Sequence, residues 1–508
     1  MSVSGTPTSE SEAQPPKTCS GADPSVAVPK RGLTLSPGTW QAERLDPRVM
    51  KALTVLGFAL PALGYLALVR HYQVNALWQD QWDDVTVIRD FPSWSALWNQ
   101  HTDNRVLFPN LIVVALAHAV RFNIDIEEYL SAFMLFGATA LFIWSHKRRS
   151  PNTPWLFYCP VAFLTLTFSQ WQNALWGFQM AWYLVVLSLA VTMALLDRPQ
   201  LAGPLYWPRL AWPTFAVAAL VAVVGSYSSV QGLLIWPVGL VLLYHRRWPL
   251  WAFVGWVGAA GVTAGLYFHN FVPTPVDNPA FALSHGFHSV GVFLFALGDV
   301  VGVQERLHDP PNVAVMAFGI AIFVLAIFVL LRWGIRRDES SGVPIGIALI
   351  VFGLLFDALV TQGRYWLNFY AASMSHYTTN DVLVLVGIYL TVLNGTRARV
   401  RAESAPSGSG AGSHLQRLLS WISGNIDRRV VLRIALVAMV IQVVCSVPLG
   451  LKNAREFHQV YLTTASVTAN IEHEPDSVVV RDLYFVQGAQ WIRAQAEYAR
   501  AHHLSQFG

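Results

Sequence analysis

The sequence predicts an all-α integral membrane protein, a polytopic helical bundle of about 11–13 spans with a long first outer loop and a C-terminal outer tail. Of 508 residues, 54% are hydrophobic and only 13% charged, and mean hydropathy is +0.41. A surface that faces water carries about twice that density of charge. The charges also bunch between long apolar runs. Basic clusters stand at the ends of these runs: His146-Lys147-Arg148-Arg149, His245-Arg246-Arg247, Arg336-Arg337 and 397–401. Such clusters mark cytoplasmic loops and orient the chain. A net charge of +4 with no single basic patch excludes a nucleic-acid binder. The three cysteines, Cys19, Cys159 and Cys445, have neither disulfide nor metal spacing.

Residues 1–49, rich in Ser, Pro, Thr and Gly, read as a disordered cytoplasmic tail. They are not a signal peptide, because the first apolar run starts only after Lys51. Residues 50–449 read as the multi-span membrane domain. Its first span, 52–69, delivers the long loop 70–106 to the outer face. Two apolar segments follow, 107–120 and 129–145. If both crossed, the cluster at 147–149 would lie outside, so the shorter one, interrupted by Asn110 and His118, is expected to be interfacial or re-entrant.

The alternation is regular from there. Segment 155–168 runs outward, 169–179 forms an outer loop, and 180–196 returns. The pair 212–224 and 233–244 turns outside at 226–231. Segment 250–268 leads to an outer loop whose His269, His285 and His288 read as solvated. Segment 290–303 is expected on the outer face, and 313–333 returns. Segments 344–359 and 382–393 flank an outer stretch, 362–379. Asp357 stands out within the first of them, because an ionisable group there is costly. A cytoplasmic linker, 395–429, precedes the last span, 430–449. The extracytoplasmic tail 450–508 shows helical periodicity over 482–501, with Leu483, Val486, Trp491, Ala494 and Tyr498 near one face, and reads as a small cap on the outer face.

The strongest chemical signal is Gln79-Asp80-Gln81-Trp82-Asp83-Asp84, followed by His101-Thr102-Asp103-Asn104-Arg105 leading to Pro109. Adjacent carboxylates repel, which raises one pKa unless a cation intervenes. Such a group can act as a general base toward a hydroxyl or hold a divalent metal. Arg105 and His101 can hold a phosphate. The outer loops are rich in Trp, Tyr, Gln, Asn and His, a composition that suits both an interfacial aromatic belt and stacking on sugars.

In this arrangement the chain resembles the GT-C type of membrane glycosyltransferases that use polyprenyl-phosphate-linked sugars. The superfamily includes the protein O-mannosyltransferases, the aminoarabinose transferases and the mycobacterial arabinofuranosyltransferases. Asp83-Asp84 stands where the acidic motif of the first outer loop lies, with Asp rather than Glu second. His101 to Pro109 stands where the His-Pro-Pro motif lies, with His-Thr-Asp-Asn-Arg in its place. The chain is also similar to uncharacterised bacterial multi-span proteins with a Gln-Trp-x-Asn-x-x-Trp-Gly-Phe-Gln loop, here 170–179, and a Tyr-Thr-Thr turn, here 377–379.

The resemblance implies a sugar moved, with inversion, from a polyprenyl-phosphate donor to a cell-envelope glycan, lipid or protein acceptor, on the outer face of the plasma membrane of a bacterium. It assigns the base to Asp83 or Asp84 and the donor phosphate to His101, Arg105 and Arg364. Asp80 and Asp103 become supporting groups or divalent-metal ligands. Trp171, Asn173, Trp176 and Gln179 would line a sugar or acceptor groove, with His376 and Tyr377 nearby. Rival readings are a transporter or flippase of lipid-linked sugars, a non-catalytic membrane scaffold, and a polysaccharide polymerase or ligase.

Overall fold

The computed structural model describes residues 46–197, 207–273, 284–305, 310–334, 341–364, 368–393 and 428–507. The expectations for the N-terminal tail and for nearly all of the 395–429 linker lie outside them. Within them the protein is an all-α membrane bundle. Seven helices are long and apolar enough to cross a bilayer, and five shorter apolar helices of 10–17 residues pack among them.

Helix α1 (Pro47–Tyr72) opens with Asp46 accepting from the Arg48 amide at 2.7 Å and a proline at the first turn. It buries Tyr65, Leu68 and Val69 while Leu56, Leu60 and Leu63 stay exposed, an apolar outer stripe suited to lipid rather than water. After α1 come α2 (Gln81–Asp90), α3 (Trp94–Leu97) and a short antiparallel pair, β1 (Gln100–His101) with β2 (Asn104–Arg105).

Helix α4 (Leu107–Val120) has 14 residues and rises about 21 Å, short of a hydrocarbon core of about 30 Å. Its first turn bonds the preceding loop, Asn110 donating to the Leu97 carbonyl at 3.1 Å. Its last residues meet the C-terminal segment, the Ser505 amide donating to the Arg121 carbonyl at 2.8 Å. One end of α4 is thus held by α3 and the other by the C-terminal segment, and the following α5 (Ile124–Arg149) is long and apolar enough to cross.

The segment 155–168 is not the single outward helix that its hydropathy suggests. A 3-10 turn (Trp155–Tyr158), α6 (Cys159–Thr165), a second 3-10 turn (Phe168–Gln170) and α7 (Trp171–Leu175) replace it. The break at 166–167 lies against the middle of α1, where Gly57 faces Cys159 and Gly64 faces Phe168. Broken backbone at that depth needs protein partners. Gln170 Nε2 supplies one to the Thr165 carbonyl at 2.6 Å.

Next come α8 (Met180–Leu196), α9 (Trp207–Ser226), α10 (Ile235–His245), α11 (Leu250–Phe268), α12 (Gly286–Gly298) and α13 (Val313–Val329). They are followed by α14 (Val343–Arg364), α15 (Asn368–Ala372) and α16 (Thr378–Leu393). Helices α14 and α16 approach closely, because a Cβ on Gly346 would lie 2.5 Å from the Gly387 carbonyl oxygen. Small residues at such a seam let dispersion act between backbones where lipid offers no hydrophobic gain.

The final helix corrects a boundary. α17 (Arg428–Ala469) runs unbroken for 42 residues through Pro448. At about 63 Å it is twice the core thickness, so the helix continues past residue 449, where Ala454, Phe457 and Tyr461 pack against α1 and α7. The cap beyond it is two helices, α18 (Asp476–Asp482) and α19 (Ala489–Ala501), separated near Gly488. Its buried face is Leu483, Ile492, Ala496 and Ala499, whereas Val486 of the expected face is exposed. These residues share a core with Trp82 and Val85 of α2. At the other end of α5 and α8, Arg148, Arg149 and Arg246 converge on the fully buried Asp197.

Candidate functional site

The acidic string folds into the first turn of α2, where negative charge complements the helix dipole. Asp80 and Asp83 are three apart and share a face. Asp84 turns about 100° away and is buried. Adjacent residues thus meet opposite environments. The hairpin β1–β2 brings His101 over the open face, its Nε2 3.5 Å from Asp80 Oδ2 and its Nδ1 3.3 Å from Asp83 Oδ2. Burial alone would lower the imidazole pKa, but the hydrogen bonds that the ring donates to Asp80 and Asp83 outweigh it and push it up to about 10. At neutral pH both ring nitrogens donate. Tyr484, just beyond α18, donates its hydroxyl to the same Asp83 Oδ2 at 2.7 Å. Burial and that carboxylate drive the phenol pKa upward. The Gln79 amide binds the Leu483 carbonyl at 2.7 Å and locks the cap in register.

Behind this face, burial first and Glu127 second raise Asp84 well above the usual carboxylate range. Glu127, in the first turn of α5, is fully buried. Gly177 lets it in, since a Cβ there would lie 2.6 Å from Glu127 Cδ. A small cavity with room for about one water is lined by Asp84, Asn110, Glu127 and Phe178. Asp84 Oδ2 and both Glu127 carboxyl oxygens have no hydrogen-bond partner. The sequence reading missed Glu127. The available signal was a Glu pair heading an otherwise apolar helix.

Arg105 corrects the phosphate assignment. It is buried, and its guanidinium donates to the carbonyls of Trp98 (3.0 Å), Tyr267 (3.3 Å), His269 (2.9 Å) and Asn270 (3.3 Å). It ties the hairpin to the end of α11 and presents no donor to a ligand face. Neighbouring bonds repeat the tie: Tyr267 donates to the Asp103 carbonyl at 2.8 Å, and Asn104 Oδ1 accepts from Ser229 Oγ at 2.8 Å. Asp103 holds Arg364 at 2.9 Å, so that pair bridges the hairpin to the end of α14.

The loop 169–179 meets the 375–379 turn. Asn173 Nδ2 donates to the His376 carbonyl at 2.8 Å and to Thr379 Oγ1 at 2.7 Å. Thr379 donates in turn to Gln170 Oε1 at 2.7 Å, and Ser375 to the Ser169 carbonyl at 2.7 Å. Trp171, Asn173, Trp176 and Gln179 are all buried in this seam, which is packed rather than an open groove. Trp176 meets Trp78 with ring centroids 4.8 Å apart, and Trp171 meets Phe457 of α17 at 4.9 Å. Asn173, Trp176 and Trp171 thus hold the loop to the 375–379 turn, Trp78 and α17, and Phe178 of the same loop meets His101 with ring centroids 4.9 Å apart. His376 stacks beside Trp182 and Tyr377, and burial, then Arg364, hold its pKa down at about 3, so it is neutral. Tyr377 bonds Arg364. Of the expected site residues, Asp80, Asp83, His101, Asp103 and Arg364 come together at the hairpin, while Arg105 and the loop aromatics stand behind it. Among the described residues no cluster of three or more His, Cys, Asp or Glu is arranged to hold a metal.

No family model matches the chain, and no curated protein matches it. Among solved structures it is similar to the crystal structure of the Archaeoglobus fulgidus oligosaccharyltransferase tethered with an acceptor peptide containing the NVT sequon. Identity is 12%, the TM-score is 0.43, and the likeness covers 87% of this chain and 59% of that one.

Proposed function

We propose that this protein is a membrane glycosyltransferase that moves a sugar from a polyprenyl-phosphate donor to a cell-envelope hydroxyl at the outer membrane face. The observation that carries the reading is the Asp83 carboxylate. It is partly exposed and oriented by two donors, His101 and Tyr484, that meet at its Oδ2. An acceptor hydroxyl there attacks the anomeric carbon while the bond from that carbon to the lipid phosphate breaks. The hydroxyl proton passes to Asp83, and the electron pair leaves with the phosphate. The protonated His101 and Arg364 are the cations nearest the departing charge, and each is already oriented by a carboxylate. Asp84, facing inward, supports α2 and is not the base.

The test is label transfer from a panel of polyprenyl-phosphate sugars to envelope extract by purified protein in nanodiscs. Asp83→Asn should reduce transfer at least ~100-fold, the scale of a lost general base, in a protein that still unfolds cooperatively, its midpoint lowered only by the weakened contacts to His101 and Tyr484. Full transfer by Asp83→Asn removes the residue from the mechanism. Movement of the lipid-linked sugar across the bilayer without transfer favours a flippase.

A further inference from the structure

A second pair of carboxylates lies away from the hairpin, between α14 and α16. Asp357 and Asp381 are 0% and 1% exposed. Their side chains are within hydrogen-bonding reach of one another. Two ionised carboxylates only accept, so they cannot bond each other without something positive between them. Among the described residues, no Lys, Arg or His forms an ion pair with either. The charged neighbour that acts on Asp381 besides Asp357 is another acid, Asp299, whose Oδ1 already accepts from the Val303 amide at 2.9 Å. An intramembrane acid in such surroundings is costly and points to a ligand or partner.

The polar atoms around the pair are unpartnered too. Thr361, one turn after Asp357 on the same face, is 7% exposed, and its Oγ1 has no hydrogen-bond partner. Asn380, next to Asp381, is fully buried with both its amide nitrogen and oxygen unpartnered. Its backbone lies at the same level of α14, because a Cβ on Gly353, one turn before Asp357, would lie 3.3 Å from the Asn380 backbone carbonyl oxygen. Two carboxylates, an amide oxygen and a hydroxyl are hard oxygen donors. They suit Ca²⁺ or Mg²⁺ and not a thiolate- or imidazole-seeking metal.

We propose that Asp357, Thr361, Asn380 and Asp381 form an intramembrane site for a divalent cation, with Ca²⁺ as the occupant. A 2+ ion cancels both carboxylates at once. Calcium also accepts about six to eight oxygens in irregular geometry, whereas magnesium demands a near-ideal octahedron and keeps its waters. The site would staple α14 to α16 just below the stretch that carries Arg364 and His376.

The experiment uses full-length protein in detergent, stripped with EDTA and dialysed against radiolabelled CaCl₂, with thermal unfolding followed in parallel. The expected result is about one Ca²⁺ per chain and an unfolding midpoint that rises with CaCl₂ concentration. Both effects should vanish in Asp357→Asn and in Asp381→Asn. Asp83→Asn, in the outer loop, should bind as wild type does. Stripped of metal, the two membrane variants should be at least as stable as wild type, since each removes a buried charge. Should they not fold, Thr361→Val, which deletes one oxygen, should weaken Ca²⁺ binding about tenfold. Absence of binding by wild type leaves a shared proton between the pair and overturns the proposal. So does equal binding by wild type and the variants. Tighter binding of MgCl₂ than CaCl₂ overturns the choice of ion.

Discussion

Two aspartate pairs in this molecule have the same functional groups and different surroundings. Asp80 and Asp83 lie one turn apart at the start of α2, with the imidazole of His101 between them. Asp357 and Asp381 are buried on facing helices, and among the described residues neither forms an ion pair with a Lys, Arg or His. The outer pair carries its own counter-charge on a hairpin. The inner pair does not, and the low dielectric around it makes like charges interact more strongly. The difference teaches that a carboxylate pair has no fixed meaning. A built-in cation leaves the outer pair oriented and partly exposed, whereas the inner pair is buried without one, the setting in which a bound cation is proposed.

Breaking the anchor of the hairpin should have the largest effect. Arg105→Ala removes the donors that four backbone carbonyls share and should destabilise by about 3 kcal/mol or more, measured by thermal unfolding. It should also free His101 from the aspartates and so make the outer pair resemble the inner one. Arg105→Lys should not rescue it, because an ammonium cannot span carbonyls from two segments.

A smaller and more pointed change is His101→Gln, which leaves the ring's place filled but removes the cation. About 2 kcal/mol of stability should be lost at pH 7. The pH dependence identifies the cause. The folded-state pKa of His101 is raised, so its contribution is complete below about 6.5 and fades as pH climbs through about 10. The unfolding midpoint of wild type should therefore fall between pH 7 and 10, and His101→Gln should flatten that slope. Equal slopes in the two proteins would show that His101 does not hold the pair.

The smallest change is Tyr484→Phe, which keeps the ring and deletes one hydroxyl bond to Asp83. A loss of about 1 kcal/mol is expected by the same melting measurement. Asp83→Ala combined with Tyr484→Phe should cost no more than Asp83→Ala alone, because Asp83→Ala already removes the bond that Tyr484→Phe deletes.

Local composition made the spans legible. Helices α5, α8, α11, α13 and α14 fall within a few residues of the apolar runs, and α4, expected to be interfacial or re-entrant, is one of the shorter apolar helices. The acidic string and His101 were legible because chemistry-bearing residues are dense there and separated by only about twenty positions. Arg105 was misread because its neighbours in sequence are polar, while its partners, Tyr267, His269 and Asn270, lie more than 160 residues away. The break at 166–167 was missed for a related reason. An average over hydropathy cannot see that Gln170 reaches back to the Thr165 carbonyl.

The sequence by itself determined that this is a helical membrane protein, where its apolar segments lie, and which loop concentrates carboxylates. Those properties are sums over contiguous residues, since the transfer free energy of a segment is close to additive along it. Only the tertiary structure decided that Asp83 faces outward and Asp84 inward, that Glu127 stands behind it, and that Tyr484 reaches Asp83 from 401 residues away. It likewise decided that Asp357 meets Asp381. Hydrogen bonds and charge pairs act over a few ångströms, so their partners depend on which helices are neighbours. That arrangement comes from packing at contacts such as Gly346 with Gly387, and no local window of sequence contains both sides of them.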